Sequence, residues 1–270
     1  MSILLHISDT HFGTEQPRVV AALKVLARER LPDVLVFSGD ITQRARSSQF
    51  QAARRMCDEL GVARMLALPG NHDIPLFDML SRVARPYGNY LQAFGPRLDP
   101  TLETDDFLVI GVNTTRASRH TNGEVSAEQV QRVASQLRSA RPRQLRVVVT
   151  HQPAAVIRPE DEHDRLRGAE PALQSWSQAG ADLVLGGHIH LPYVLDLCAL
   201  PQPTPRPMWC VQAGTAVSSR LRHETRNSVN LIYWKAMPPG QPRTCRVERC
   251  DYQPEKGWFE TVKMEMLGLG

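Results

Sequence analysis

The chain has 270 residues, enough to bury the core of one large α/β domain. Its 32 basic and 28 acidic side chains leave a formal charge of +4, with no long block of one sign and no basic stripe interleaved with aromatics, so a nucleic-acid-binding surface is not expected. There is neither a basic leader nor an apolar run of membrane-spanning length, and the five cysteines lack CxxC spacing; a cytoplasmic location, free thiols and no membrane partner are the expectation.

Hydrophobic periodicity gives the elements in order. Ile3 to Ile7 has strand length and runs straight into Asp9. Pro17 to Arg30 places Val19, Leu23 and Leu26 on one helical face, and Asp33 to Phe37 follows as a buried strand. A second helix is expected from about Ser47 to Leu60, through Phe50, Ala53 and Cys57, before a short strand at Met65 to Leu68. This βαβαβ rhythm requires parallel strands with helices packed on them. Farther on, Phe107 to Val112 reads as a strand, and Ser126 with Gln129 forms a capping box ahead of a helix carrying Val130, Val133 and Leu137. Val147 to Val149 and Leu183 to Leu185 are two more buried strands. Beyond the proline-rich stretch Pro201 to Pro207, Trp209 to Val211 and Val229 to Trp234 predict a second, more antiparallel sheet completing the same domain.

Metal-ligand residues recur just past these strands. The clusters are Asp9-Thr10-His11, Gly39-Asp40, Gly70-Asn71-His72-Asp73, Thr150-His151 and Gly187-His188-Ile189-His190. A strand ending in Asp, Asn or His puts a ligating side chain at one edge of a sheet, where several strands can converge on one point. Two divalent ions about 3.5–4 Å apart must share a ligand, and a carboxylate bridges them with one oxygen each. Asp40 is the candidate bridge. Mixed imidazole, carboxylate and amide donors suit Mn, Fe, Zn or Co better than an all-oxygen calcium cage. Asp73 is read as a loop support, and the isolated His6, His120, His163 and His223 as surface or satisfied core residues. Asn113 is read as facing the cleft or, equally, as a turn residue, and Arg116, Arg119 and the loop from Ala154 to Arg167 are candidate rim elements.

The ordered set Asp9-x-His11, Gly39-Asp40, Gly70-Asn71-His72-Asp73, His151 and Gly187-His188-x-His190 resembles the calcineurin-like metallophosphoesterase superfamily over about two thirds of the chain. Within it, the Gly-Asn-His-Asp form is most similar to the bacterial class III cyclic nucleotide phosphodiesterases. The resemblance implies a four-layer α/β/β/α sandwich of two mixed sheets, with a dinuclear site at one edge. It further implies that Asp9, His11 and His190 hold one metal ion with Asp40, that Asn71, His151 and His188 hold the second with Asp40, and that His72 stays outside both, acting on the phosphate or the leaving oxygen.

The implied reaction is hydrolysis of a small phosphate ester, with a 3′,5′-cyclic nucleotide or similar diester as the expected substrate. Phosphomonoesterase and nucleotide pyrophosphatase activities on the same centre are the alternatives. A binding scaffold that has lost catalysis would be expected to have lost a ligand or His72, and every position is filled. A DNA nuclease would bring extra domains or a basic face. The segment from Ile74 to Leu98, with Phe77, Leu80, Tyr87, Tyr90 and Phe94, is read as a helix packing on the core or, alternatively, a cap whose aromatics stack on a base.

Overall fold

The computed structural model describes residues 1–76, 78–119, 121–238 and 240–270; Phe77 and His120, both singled out above, lie outside the described residues. Strands β1 (Ser2–Ile7), β2 (Val34–Phe37) and β3 (Arg64–Ala67) alternate with helices α1 (Pro17–Arg30) and α2 (Ser47–Glu59). Next come α3 (Met79–Ala84), α4 (Gly88–Phe94), β4 (Thr101–Glu103), β5 (Phe107–Gly111), α5 (Ala127–Arg138), β6 (Leu145–Val149), α6 (Ala169–Gln178) and β7 (Leu183–Gly186). The chain ends with β8 (Tyr193–Asp196), β9 (Trp209–Gln212), β10 (Ser228–Trp234), β11 (Thr244–Gln253) and β12 (Trp258–Gly268). Among the described residues no helix is long and apolar enough to cross a membrane.

Local signals set the element boundaries. Pro17 opens α1, where its missing N–H costs nothing, and Leu31 closes it in a left-handed conformation. The capping box forms as expected: Ser126 Oγ accepts from the Gln129 N–H and Gln129 Oε1 accepts from the Ser126 N–H, at 3.2 and 3.1 Å.

The strands form two mixed six-stranded sheets, ordered β12-β11-β10-β1-β2-β3 and β4-β5-β6-β7-β9-β8. Side-chain alternation on the strands separates three apolar layers. Leu5, Ile7, Leu35 and Phe37 face α1 and α2, while Leu4, Val34, Val36 and Leu66 face the second sheet, meeting Val109, Val147, Val149 and Leu185. Ile110, Val148 and Val184 point outward to α5 and α6, where Trp176 is fully buried. Helices therefore cover both outer faces, giving the expected α/β/β/α layering.

The C-terminal strands correct one expectation. They are antiparallel, but β10, β11 and β12 do not make a separate sheet: β10 pairs with β1 from Ser2↔Trp234 to His6↔Asn230 and extends the first sheet, whereas β9 joins the second through β7. The edge of β1 not used by β2 presents unpaired backbone groups that β10 satisfies.

Within the segment from Ile74 to Leu98, α4 packs on the core as one of the two readings expects. Tyr90 and Phe94 of α4 are turned to the core, with the Tyr90 hydroxyl donating to Ala67 O at 2.7 Å and both rings packing on Phe50. Helix α3 instead exposes Met79, Leu80 and Val83.

Candidate metal centre

The parallel run β1-β2-β3 and the parallel pair β6-β7 point their C-terminal ends to the same edge of the sandwich. Asp9, His11, Asp40, Asn71, His151, His188 and His190 follow those ends and are brought together there. Ligand atoms of Asp9, His11 and His190 lie within 4.8 Å of one another, and so do those of Asp40, His151 and His188. Asn71 joins the second group, its Oδ1 being 3.1 Å from His151 Nε2.

Asp40 divides its carboxylate between the two groups: Oδ1 is 3.2 Å from His151 Nε2 and Oδ2 is 3.7 Å from His11 Nε2. That is the placement a bridging ligand requires. In the first group His190 Nε2 is 3.4 Å from Asp9 Oδ1 and 3.0 Å from His11 Nε2.

Loop geometry makes the convergence possible. Five of these residues, Asp9, His11, Asp40, His188 and His190, have φ between 41° and 74°, a region non-glycine residues seldom occupy. Such strain persists where surrounding contacts fix it, and it gathers at functional sites. Two glycines supply close approach: a Cβ on Gly39, itself at φ 108°, would strike the His151 ring, and one on Gly187 would strike Ser8 and the Asp9 carboxylate.

Outer partners orient the imidazoles. Backbone carbonyls of Ser38 and Arg220 accept from Nδ1 of His151 and His190 at 2.9 and 2.7 Å, a pairing that places the proton on Nδ1 and presents Nε2 inward. In His188 the order is reversed: Nε2 lies 3.6 Å from Asp164 Oδ1, and Nδ1 is buried without a partner among the described residues. His11 turns Nε2 to the carboxylates, and its Nδ1 is buried on the other side of the ring with no partner among the described residues. The unpartnered Nδ1 of His188, in the residue grouped with Asp40 and His151, fits a site that takes a cation.

The charges agree. Burial opposes ionisation of Asp9 and Asp40, yet the neighbouring histidines hold Asp9 at about 2 and Asp40 well below the usual carboxylate range. Burial also opposes a charge on His151, but Asp40 and then Asp9 push it up to about 9; burial dominates at His11 and pushes it down to about 3. Two buried anions facing imidazoles form a mixed nitrogen and oxygen donor set, and the residues therefore fit a pair of metal ions.

His72 is half-buried at the mouth of this cluster. Its N–H donates to Asp40 Oδ1 at 2.9 Å and its Nδ1 lies 3.1 Å from Gln43 O, leaving Nε2 as its remaining ring nitrogen. His72 also forms a third group with His11 and Asp40, its ligand atom within the same 4.8 Å, so distance alone does not keep it away from a metal. Asp73 supports the loop as expected, accepting from the N–H groups of Ile41, Thr42 and Gly70 and from the Thr42 hydroxyl, at 2.8 to 3.0 Å.

Of the other flagged residues, His6 is fully buried and satisfied by Ser38 Oγ at 2.9 Å, while His163 and His223 are exposed. Asn113 turns its Oδ1 back to Thr115, Arg116 bonds Asn113 O and Gln129, and Arg119 pairs with Glu124. Asp164 was missed by sequence reasoning. It lies in the Ala154 to Arg167 loop flagged as a rim, but nothing in its neighbourhood signals that it meets a histidine 24 residues away.

Comparison with known proteins places this geometry. The glycerophosphodiester phosphodiesterase GpdQ of Enterobacter lignolyticus (strain SCF1) is 39% identical over 85 residues, 26% of this chain and 29% of that relative's length. The purple acid phosphatase PPD1 from yellow lupin (Lupinus luteus) seeds is similar over 99% of this chain and 53% of its own, with TM-score 0.71 and 11% identity. A dimetal phosphatase from Danio rerio is similar over 100% and 99% of the two chains, with TM-score 0.63 and 13% identity. At these identities the two structural likenesses concern the fold. The calcineurin-like phosphoesterase profile matches residues 3–192, which takes in every cluster at the sheet edge, and the chain belongs to that family of phosphoester hydrolases.

Proposed function

We propose that this hydrolase is a phosphodiesterase of small diesters, 3′,5′-cyclic nucleotides and acyclic glycerophosphodiester-like compounds being the candidate substrates, and that Asp9, His11, Asp40 and His190 hold one metal ion while Asp40, Asn71, His151 and His188 hold the other. The observation that carries the diester reading is the 39% identity over 85 residues to a protein named as a glycerophosphodiester phosphodiesterase. A cavity of about 360 Å³ that begins at Asn71 and His72 offers room for the alcohol arm on the leaving oxygen.

When bound, the two ions supply Lewis acidity, lowering the pKa of water and neutralising charge on the phosphoryl oxygens. The chain's own groups do the rest. Asp40 holds the two ligand groups in register, and its second role is to accept the His72 N–H, which fixes where that residue sits. His72 Nε2 donates a proton to the alcohol oxygen as its bond to phosphorus breaks, so the leaving group departs neutral. The Ser38 and Arg220 carbonyls accept from Nδ1 of His151 and His190 and direct their Nε2 inward, where it would face a metal ion.

The test is kcat/KM of the metal-reconstituted protein for 3′,5′-cyclic AMP, bis(p-nitrophenyl) phosphate, glycerophosphodiesters and p-nitrophenyl phosphate, since that ratio reports differential transition-state binding. Diesters are expected to lead. A clear preference for the monoester, or activity confined to pyrophosphate-linked nucleotides, overturns the diesterase reading and leaves the metal centre in place.

A further inference from the structure

Strand β12 closes the first sheet and leaves its outer edge open, since among the described residues no strand pairs with it on that side. Its pairing with β11 fixes which way its backbone points. Thr244 to Arg249 run opposite Gly268 to Lys263 without a shift, and one residue beyond this stretch the Leu269 N–H donates to Arg243 O at 2.9 Å. Antiparallel strands exchange bonds at every second pair, so Leu267, Glu265 and Lys263 also turn their N–H and C=O groups to β11, and Met266 and Met264 turn theirs outward. Gly268 keeps the same phase, its carbonyl accepting from Trp209 Nε1 at 2.8 Å. Exposed edges are normally blunted by charge, proline or a bulge. Here the bulge falls at Val262, the residue left without an opposite number where the register shifts between Arg249 and Cys250, and the stretch from Lys263 onward is regular. Lys263 and Glu265 share the face of Leu267 and pair with each other at 2.9 Å. The opposite face carries Met264 and Met266, 56% and 63% exposed, with Val262 exposed beside them.

We propose that β12 is an interface for a second copy of this chain, the two β12 strands pairing antiparallel about a two-fold axis through Met264 and joining the two first sheets edge to edge. The order Val262-Lys263-Met264-Glu265-Met266 is complementary to its own reverse: apolar residues meet apolar residues, and the lysine meets the glutamate. In that register Met264 exchanges both backbone hydrogen bonds with Met264 of the partner subunit, and Met266 comes opposite the partner's Val262. Lys263 comes opposite the partner's Glu265, at a position without backbone bonds between the strands, where opposed side chains lie closest. An axis through Glu265 would set two carboxylates against each other and one through Lys263 two ammonium groups, so charge selects the axis through Met264, whose outward backbone groups also fit it.

Sedimentation velocity of the full chain across about 1–200 µM tests the pairing. The sedimentation coefficient is expected to rise with concentration from that of a monomer to that of a dimer. Lys263→Glu makes both charges of the edge negative and Glu265→Lys makes both positive, so each variant alone should dimerise about tenfold more weakly, while an equimolar mixture of the two should regain the affinity of the unaltered chain. The pair between residues 263 and 265 within each chain is lost in both variants, so recovery in the mixture reports charges that meet between chains. Met264→Pro removes the outward N–H that the two-fold pair uses and should abolish dimerisation; an edge strand tolerates proline where the N–H faces solvent. A chain that stays monomeric throughout overturns the interface and leaves the edge to a different partner. Dimers that neither the charge variants nor Met264→Pro weaken overturn it as well, and a mixture no tighter than its components overturns the register and with it the proposal.

Discussion

Replacing His72 by Ala separates ligation from proton transfer, because the contacts that fold the loop survive the change. The bond that ties this residue to the bridge is made by its backbone N–H to Asp40 Oδ1, and alanine keeps it. The ring's contact with Gln43 O is lost at a half-buried position, a stability cost of about 0.5–1.5 kcal/mol. What disappears from the site is Nε2. A positioned general acid contributes about 10²–10⁴-fold, or about 3–5 kcal/mol of barrier. The loss should depend on the leaving group: near the full factor for 3′,5′-cyclic AMP, whose alkoxide needs the proton, and about tenfold or less for bis(p-nitrophenyl) phosphate, whose phenolate does not. Metal content should stay near that of the unaltered protein, whereas His188→Ala should lose metal. Elemental analysis beside the two kcat/KM values decides the matter. Equal metal loss in the two variants, or equal rate loss on the two substrates, would refute the acid role and make His72 a ligand of the third histidine group.

Asp40→Ala should strip both sites and abolish hydrolysis, while Asn71→Ala should affect one; two ions retained by Asp40→Ala in elemental analysis would refute the bridge. Asp164→Ala should weaken one of the two metal sites about 10–100-fold by freeing the His188 ring, with Asp164→Asn intermediate, measured by calorimetric Mn²⁺ titration of the chelated protein; identical affinities at both sites would exclude Asp164 as an orienting residue. Burial pushes His6 down to about 3, so between there and its ordinary 6.5 the unfolded chain binds a proton that the folded chain does not, and stability falls as pH falls through that window. From pH 7 to pH 5 this group alone should cost the chelated protein about 2 kcal/mol, a pH slope that His6→Gln should reduce in urea unfolding; an unchanged slope would contradict the assignment.

Much of the fold was legible because its signals are local. Hydrophobic periodicity located α1, α2, α5 and the buried strands to within a few residues, and Pro17 and the Ser126–Gln129 box marked two helix starts. The convergence of the candidate ligand residues was legible for the same reason, since they follow strands that the sequence identifies and parallel strands carry their ends to one edge. Tertiary structure decided what depends on partners far along the chain. The attachment of β10 to β1 rather than to a separate sheet is a pairing of Ser2 with Trp234, and backbone hydrogen-bonding capacity is identical at every candidate edge. The division of the Asp40 oxygens between His11 and His151, the approach of Asp164 to His188 and the cavity between Arg46 and Leu76 all arise where loops meet. Those loops pass through left-handed conformations at Asp9, His11, Asp40, His188 and His190, residues with no intrinsic need for them, so the surrounding packing and not the local sequence sets the geometry on which the chemistry depends.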